Sequence, residues 1–348
     1  MNTNAFANWQ PSKAMQQITT LEMHTGGEPL RIITSGFPAL KGDTILAKRQ
    51  DCLANHDDLR KGLMFEPRGH ADMYGALIVE PERDTSDLGV LFLHNEGYST
   101  MCGHAIIALS KAAIEAGVIH KKEGVNQINF DVPCGQIRSS VTVNNGEISD
   151  IRFLNVPSFL ALIAQQIEVE GIGTVTFDLA YGGAFYAYVD ADAIGLSLKQ
   201  DNSNQIIDWG KRIKQAVIDS TEINHPFEDD LSFLYGTIFV SHTQMEHPDS
   251  HSRNVCIFAE GELDRSPTGS GVAGRAAIHF AKNEIDAQQE IVIESILGSQ
   301  FSVKVVDTLE YGDHMAVIPE VSGNANVVGK NTFYFDQNDA LNTGFIFR

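Results

Sequence analysis

Two helical runs constrain this chain more than any other feature. The first reads Ala105-Ile-Ile-Ala-Leu-Ser-Lys-Ala-Ala-Ile114, inside a helical pattern over residues 103–116. The second reads Val272-Ala-Gly-Arg-Ala-Ala-Ile-His-Phe-Ala281, inside residues 271–282. Both are apolar nearly all round, and a helix without a broad polar face is usually buried. Elsewhere, short segments rich in β-branched residues (30–34, 75–79, 90–93, 128–132 and 137–143) read as strands. Asn144-Asn145-Gly146 is a hairpin signal. Buried helices in a strand-rich chain predict an α+β fold in which a curved sheet wraps each helix.

The layout repeats. His24-Thr-Gly-Gly-Glu28 precedes a strand in one half, and Tyr181-Gly-Gly-Ala184 does so in the other. Each half then reaches a glycine-flanked turn that opens a buried helix: Ser99-Thr-Met-Cys-Gly-His104 and Arg265-Ser-Pro-Thr-Gly-Ser-Gly271. This predicts two similar domains facing each other across a cleft. Residues 1–155, with a C-terminal strand at 344–348, form the first, and residues 156–343 form the second. Strands around 153–159 carry the chain between them, and a short helical run over 209–217 decorates the surface.

The 348 residues carry a formal net charge of -20, spread along the chain. Such a surface repels nucleic acid and anionic membrane, so neither is an expected partner. No apolar run reaches the length of a membrane span, and residues 1–20 do not resemble a secretory leader, so the expected compartment is the cytoplasm.

Four cysteines, Cys52, Cys102, Cys134 and Cys256, form no CxxC pair, which suggests neither a zinc site nor a disulfide framework. Cys52, Cys134 and Cys256 read as small buried apolar residues. Cys102 sits just before a helix, where free N–H groups favour a thiolate; it is either a base or a packed helix-start residue. His104 could tune that thiol or bind substrate, or cap the helix. Thr268 holds the matching place in the second turn, either at an anion cradle or as a plain N-cap. Asp264 could bind an amino-acid nitrogen or close an Asx turn. His242, His247 and His251 share a polar loop but lack metal-ligand spacing. Gly26-Gly27 lacks the spacing of a phosphate loop, and no lysine marks a pyridoxal phosphate site. No cofactor is expected.

Four blocks, taken together, resemble the proline racemase superfamily. They are Met23-His-Thr-Gly-Gly-Glu-Pro29, Asn95-Glu-Gly-Tyr-Ser-Thr-Met-Cys-Gly-His104, Tyr181-Gly-Gly-Ala-Phe-Tyr186 and Asp264-Arg-Ser-Pro-Thr-Gly-Ser-Gly271. The resemblance implies a diaminopimelate-epimerase-like fold, a homodimer, and a hydroxyproline-type imino acid as substrate. It implies Cys102 as catalytic base, with Gly103, His104, Asp264, Gly269 and Ser270 contacting substrate. Racemases of this family use a second cysteine where this chain has Thr268. A threonine hydroxyl does not exchange protons at neutral pH in the ordinary way. The Cys102/Thr268 pairing resembles the branch that dehydrates trans-3-hydroxy-L-proline. The competing expectations are a proline racemase or hydroxyproline 2-epimerase, and a non-catalytic amino-acid-binding protein.

Overall fold

The computed structural model describes residues 3–347. Both apolar runs are helices, Gly103–Glu115 and Gly269–Ala281, and nearly every residue in each is buried. Each lies against the strands of its own half. Burial of a whole helix surface needs neighbours on every side, and the strands of each half supply them here.

The strand order shows the repeat directly. In the first half, Gln16–Thr25 pairs antiparallel with Glu28–Ser35, which runs parallel to Tyr74–Val79. That strand pairs antiparallel with Leu88–His94, which runs parallel to Gly124–Val132. Antiparallel Gly135–Asn144 and Glu147–Leu154 complete the series. The second half repeats this sequence of pairings. Gly173–Tyr181 pairs with Phe185–Asp190, parallel Leu234–Ser241, antiparallel Ser252–Phe258 and parallel Ile291–Glu294 follow, and Gln300–Tyr311 and His314–Ser322 end it. In both halves the buried helix follows the fourth of these strands.

Each series also has a strand before its first member. In the second half it is Phe159–Val169, paired with Gly173–Tyr181. In the first half the same slot holds Ala325–Phe335, paired with Gln16–Thr25 along its whole length. The chain therefore returns to the first half earlier than residues 344–348, where the return was expected. Phe345 makes an isolated bridge to Glu66, and Arg348 lies outside the described residues. Glu147–Leu154 pairs with His314–Ser322 and joins the halves. The expected hairpin is present, with Asn145 and Gly146 both at positive φ, as a two-residue turn there needs. The surface helix is longer than the sequence suggests, Ser203–Ser220, with Ile206, Gly210, Ile213 and Val217 on its buried side.

Candidate active site

The two buried helices meet at their N-termini. A Cβ added to Gly103 would lie 2.6 Å from the Gly269 Cα, and the reverse holds for Gly269. Only glycine on both sides lets the backbones come this close. Free N–H groups of two helix starts therefore open into one space. That space is a small cavity. Cys102, Gly103, His104, Asp264, Thr268, Gly269 and Ser270 all line it, so the residues singled out in the sequence come together here.

Cys102 is the extended residue just before the first helix, with φ -149° and ψ 103°. Its Sγ lies 3.1 Å from His104 Nδ1. The helix start was expected to lower the thiol pKa, and the outcome is the reverse. Burial pushes the thiol well up, and the Asp264 and Glu28 carboxylates add to the rise. The Ala105 N–H and the Tyr74 hydroxyl pull the other way without winning. Desolvation of an anion outweighs one or two hydrogen bonds here. His104 is buried and its pKa is lowered, chiefly by burial, so its imidazole is neutral at pH 7.

Thr268 precedes the second helix at φ 66°. A β-branched residue with positive φ is rare and strained. Its side chain does not cap the helix. It donates instead to Asp264 Oδ2 at 2.7 Å. Asp264 Oδ1 accepts from the Ser266 N–H at 2.7 Å, and Ser266 Oγ accepts from the Thr268 N–H at 3.1 Å. Asp264 thus closes an Asx turn with one oxygen and grips Thr268 with the other. Ser270 Oγ is 2.8 Å from the Tyr186 hydroxyl.

Sequence reasoning missed the aromatic walls of the cavity: Tyr74, Tyr186, Tyr235 and Phe258, with Met101. Their signal was the strand repeat. Tyr74 is the first residue and Tyr235 the second of corresponding strands in the two halves. Glu28 was also missed as a separate element. It is fully buried, accepts from the Arg265 N–H at 2.7 Å, and so ties the first half to the second beside Asp264. Burial, then the Asp264 charge, holds the Glu28 carboxyl well above its usual range.

The other cysteines lie apart from this cavity's lining. The polar-loop histidines divide. The rings of His242 and His251 are 5.4 Å apart, and His279 of the second buried helix stands 4.7 Å from His251. Among the described residues, no three His, Cys, Asp or Glu are arranged to hold a metal ion.

The sequence pattern described as proline racemase matches residues 20–346. The chain belongs to the proline racemase family. Within that family it is 56% identical to a protein of Colwellia psychrerythraea named trans-3-hydroxy-L-proline dehydratase, over 99% of this chain and 97% of that one. It is 41% identical to a 3-hydroxyproline 2-epimerase of Burkholderia multivorans, over 97% of this chain and the whole of that one. A solved proline racemase-like structure, a hydroxyproline epimerase from Agrobacterium vitis with bound trans-4-hydroxy-L-proline, superposes with a TM-score of 0.89. It shares 26% identity and covers 97% of this chain and 96% of its own.

Proposed function

We propose that this protein is a hydro-lyase that converts trans-3-hydroxy-L-proline to Δ1-pyrroline-2-carboxylate. The observation that carries the reading is the chemistry of the paired turns: one holds a thiol, and the other holds Thr268, whose hydroxyl is spent on Asp264. A racemase needs an acid and a base on opposite faces of Cα. Elimination needs one working face. In trans-3-hydroxy-L-proline the Cα hydrogen and the 3-hydroxyl share a ring face, so one group beside that face can serve both.

The substrate carboxylate sits against the N–H groups of the two helix starts, at Gly103, His104, Gly269 and Ser270, where fixed dipoles stabilise charge that develops on proton loss. The cationic ring nitrogen pairs with Asp264. Burial is the main cause of the raised Cys102 pKa, and that pairing offsets the Asp264 share of the rise, so substrate binding shifts the thiol toward thiolate. Neutral His104, at 3.1 Å, orients the sulfur. Cys102 takes the Cα proton, the 3-hydroxyl leaves as water, and the enamine tautomerises to the imine. Thr268 holds the far side of the ring with Asp264.

The chain supplies base, charge cradle and ion-pair partner from its own side chains, so the reaction needs no cofactor. Full activity after exhaustive chelation is the expected result. A homodimeric, cytoplasmic enzyme belongs to the same reading. The family resemblance supports the dimer, and a working thiol among free cysteines suits a reducing compartment.

A second reading, a 3-hydroxyproline 2-epimerase, is favoured by the Burkholderia relative's name. It requires a proton donor near Thr268. Incubation with trans-3-hydroxy-L-proline, trans-4-hydroxy-L-proline and L-proline separates the readings. Imine from the first compound alone supports the dehydratase. Inversion at Cα of any of them supports the epimerase. No change in all three leaves only a binding protein.

A further inference from the structure

Three hydroxyls form a buried chain along one wall of the cavity. Tyr74 bonds to Ser99 Oγ, and Ser99 Oγ lies 2.7 Å from the Tyr235 hydroxyl. All three residues are buried, and both tyrosines line the cavity with Cys102. The Tyr74 hydroxyl is close enough to the Cys102 thiol to favour its ionised form. Tyr74 comes from the first half and Tyr235 from the matching strand of the second, so Ser99 ties two equivalent residues together. Tyr235 stacks on Phe258 at 5.4 Å and 18°, and Tyr74 stands edge-on to His104 at 4.8 Å, which fixes both rings.

A buried hydroxyl chain is costly unless every member is satisfied. Counting protons shows its use. Three hydroxyls carry three protons and need two for their mutual bonds, which leaves one to donate. With Cys102 ionised, Tyr235 donates to Ser99, Ser99 to Tyr74, and Tyr74 to the sulfur. Once the thiol has taken the Cα proton, Tyr74 is free to point elsewhere, on the face where the sulfur works.

Resting on the dehydratase reading, the geometry points to Tyr74 as a further catalytic residue, the acid that protonates the departing 3-hydroxyl, with Ser99 and Tyr235 as its positioning residues. The C3–O bond breaks with its electron pair on oxygen. The Tyr74 O–H proton goes to that oxygen and water leaves. The Cys102 S–H proton then passes to the Tyr74 oxygen, which restores phenol and thiolate. In net terms one proton leaves Cα and one joins the departing oxygen, relayed through thiol and phenol, and nothing is oxidised or reduced. Burial raises the pKa of both tyrosines, so they enter the cycle as donors.

The test compares two leaving groups. Fluoride leaves without protonation, so trans-3-fluoro-L-proline bypasses the acid while still needing Cys102. Wild type and Tyr74→Phe are assayed for imine from trans-3-hydroxy-L-proline and for fluoride release from the fluoro compound. Tyr74→Phe is expected to lose about 100-fold on the hydroxy substrate, the ordinary worth of a positioned acid. It should keep most fluoride release. Equal loss on both substrates, or loss on neither, overturns the proposal. If Tyr74→Phe does not fold by circular dichroism, Ser99→Ala, which breaks the chain behind the wall, must lower the hydroxy-to-fluoro ratio. An unchanged ratio overturns it. Wild type that releases neither imine nor fluoride overturns the dehydratase reading as well, whereas imine from wild type with an indifferent Tyr74→Phe removes only this inference.

Discussion

Cys102 and Thr268 stand at the same point of the same motif, and they differ in what each can do with a proton. A thiol ionises near ~8.5, and an aliphatic hydroxyl does not ionise in water's useful range. Cys102→Ala should therefore abolish turnover, a loss well beyond 100-fold, while the melting temperature stays close to wild type. Single alanine changes at Cys52, Cys134 or Cys256 should leave substantial turnover, as measured by imine formation. Thr268→Cys should add weak inversion of proline or 4-hydroxyproline, read by chiral chromatography in deuterated water. It should stay weak, because the Asp264 bond and the positive φ at residue 268 are fitted to threonine. Both residues were legible because each sits in a short, glycine-flanked turn. The strain at Thr268 and the inverted direction of the Cys102 pKa were not. They depend on neighbours far away in sequence, Glu28 and Asp264 above all.

At the scale of elements, the two helix starts behave as one unit. Gly103→Ala or Gly269→Ala puts a methyl against backbone, which cannot yield as a flexible side chain can. Overpacking of this kind costs about 1–3 kcal/mol. Either variant should melt at lower temperature and lose more activity than stability, since the wedge opens the cradle itself. The far end of the second helix makes a separate prediction. His279 and His251 are held down to about 2 and about 4, by burial first and then by the Arg275 charge and by neighbouring histidines. Lowered pKa values mean that the unfolded chain binds protons first as pH falls. The stability these groups provide is complete above the ordinary imidazole pKa of ~6.5 and drains away as pH falls, down to about 4 for His251 and about 2 for His279. Melting temperature should drop through that window, and His251→Gln should flatten the drop. The helices themselves were plain in the sequence, because all-round apolarity survives without knowledge of the partner. The histidine cluster was only half legible. Two members share a loop, but His279 joins them from a helix that looked merely buried.

At the scale of the molecule, the site exists because one strand order is used twice. The wrapped helices point their N-termini at each other, and Cys102 comes from one half and Thr268 from the other. We propose that the halves divide near residue 155 and that the chain crosses back near residue 324, so that Ala325–Phe335 completes the first sheet. The repeat of turns and helices was readable, because glycines mark it. The exchanged strand was not, since a strand's pairing partner is set by long-range packing and not by its own pattern. On the proposed mechanism, one face of a proline ring is worked on in the cavity and the other is only held. The most direct measurement follows trans-3-hydroxy-L-proline with the wild-type protein by proton NMR from the first turnovers. The account predicts Δ1-pyrroline-2-carboxylate as the product from the outset, with no accumulation of cis-3-hydroxy-D-proline. Appearance of that 2-epimer ahead of the imine, or in its place, would contradict it.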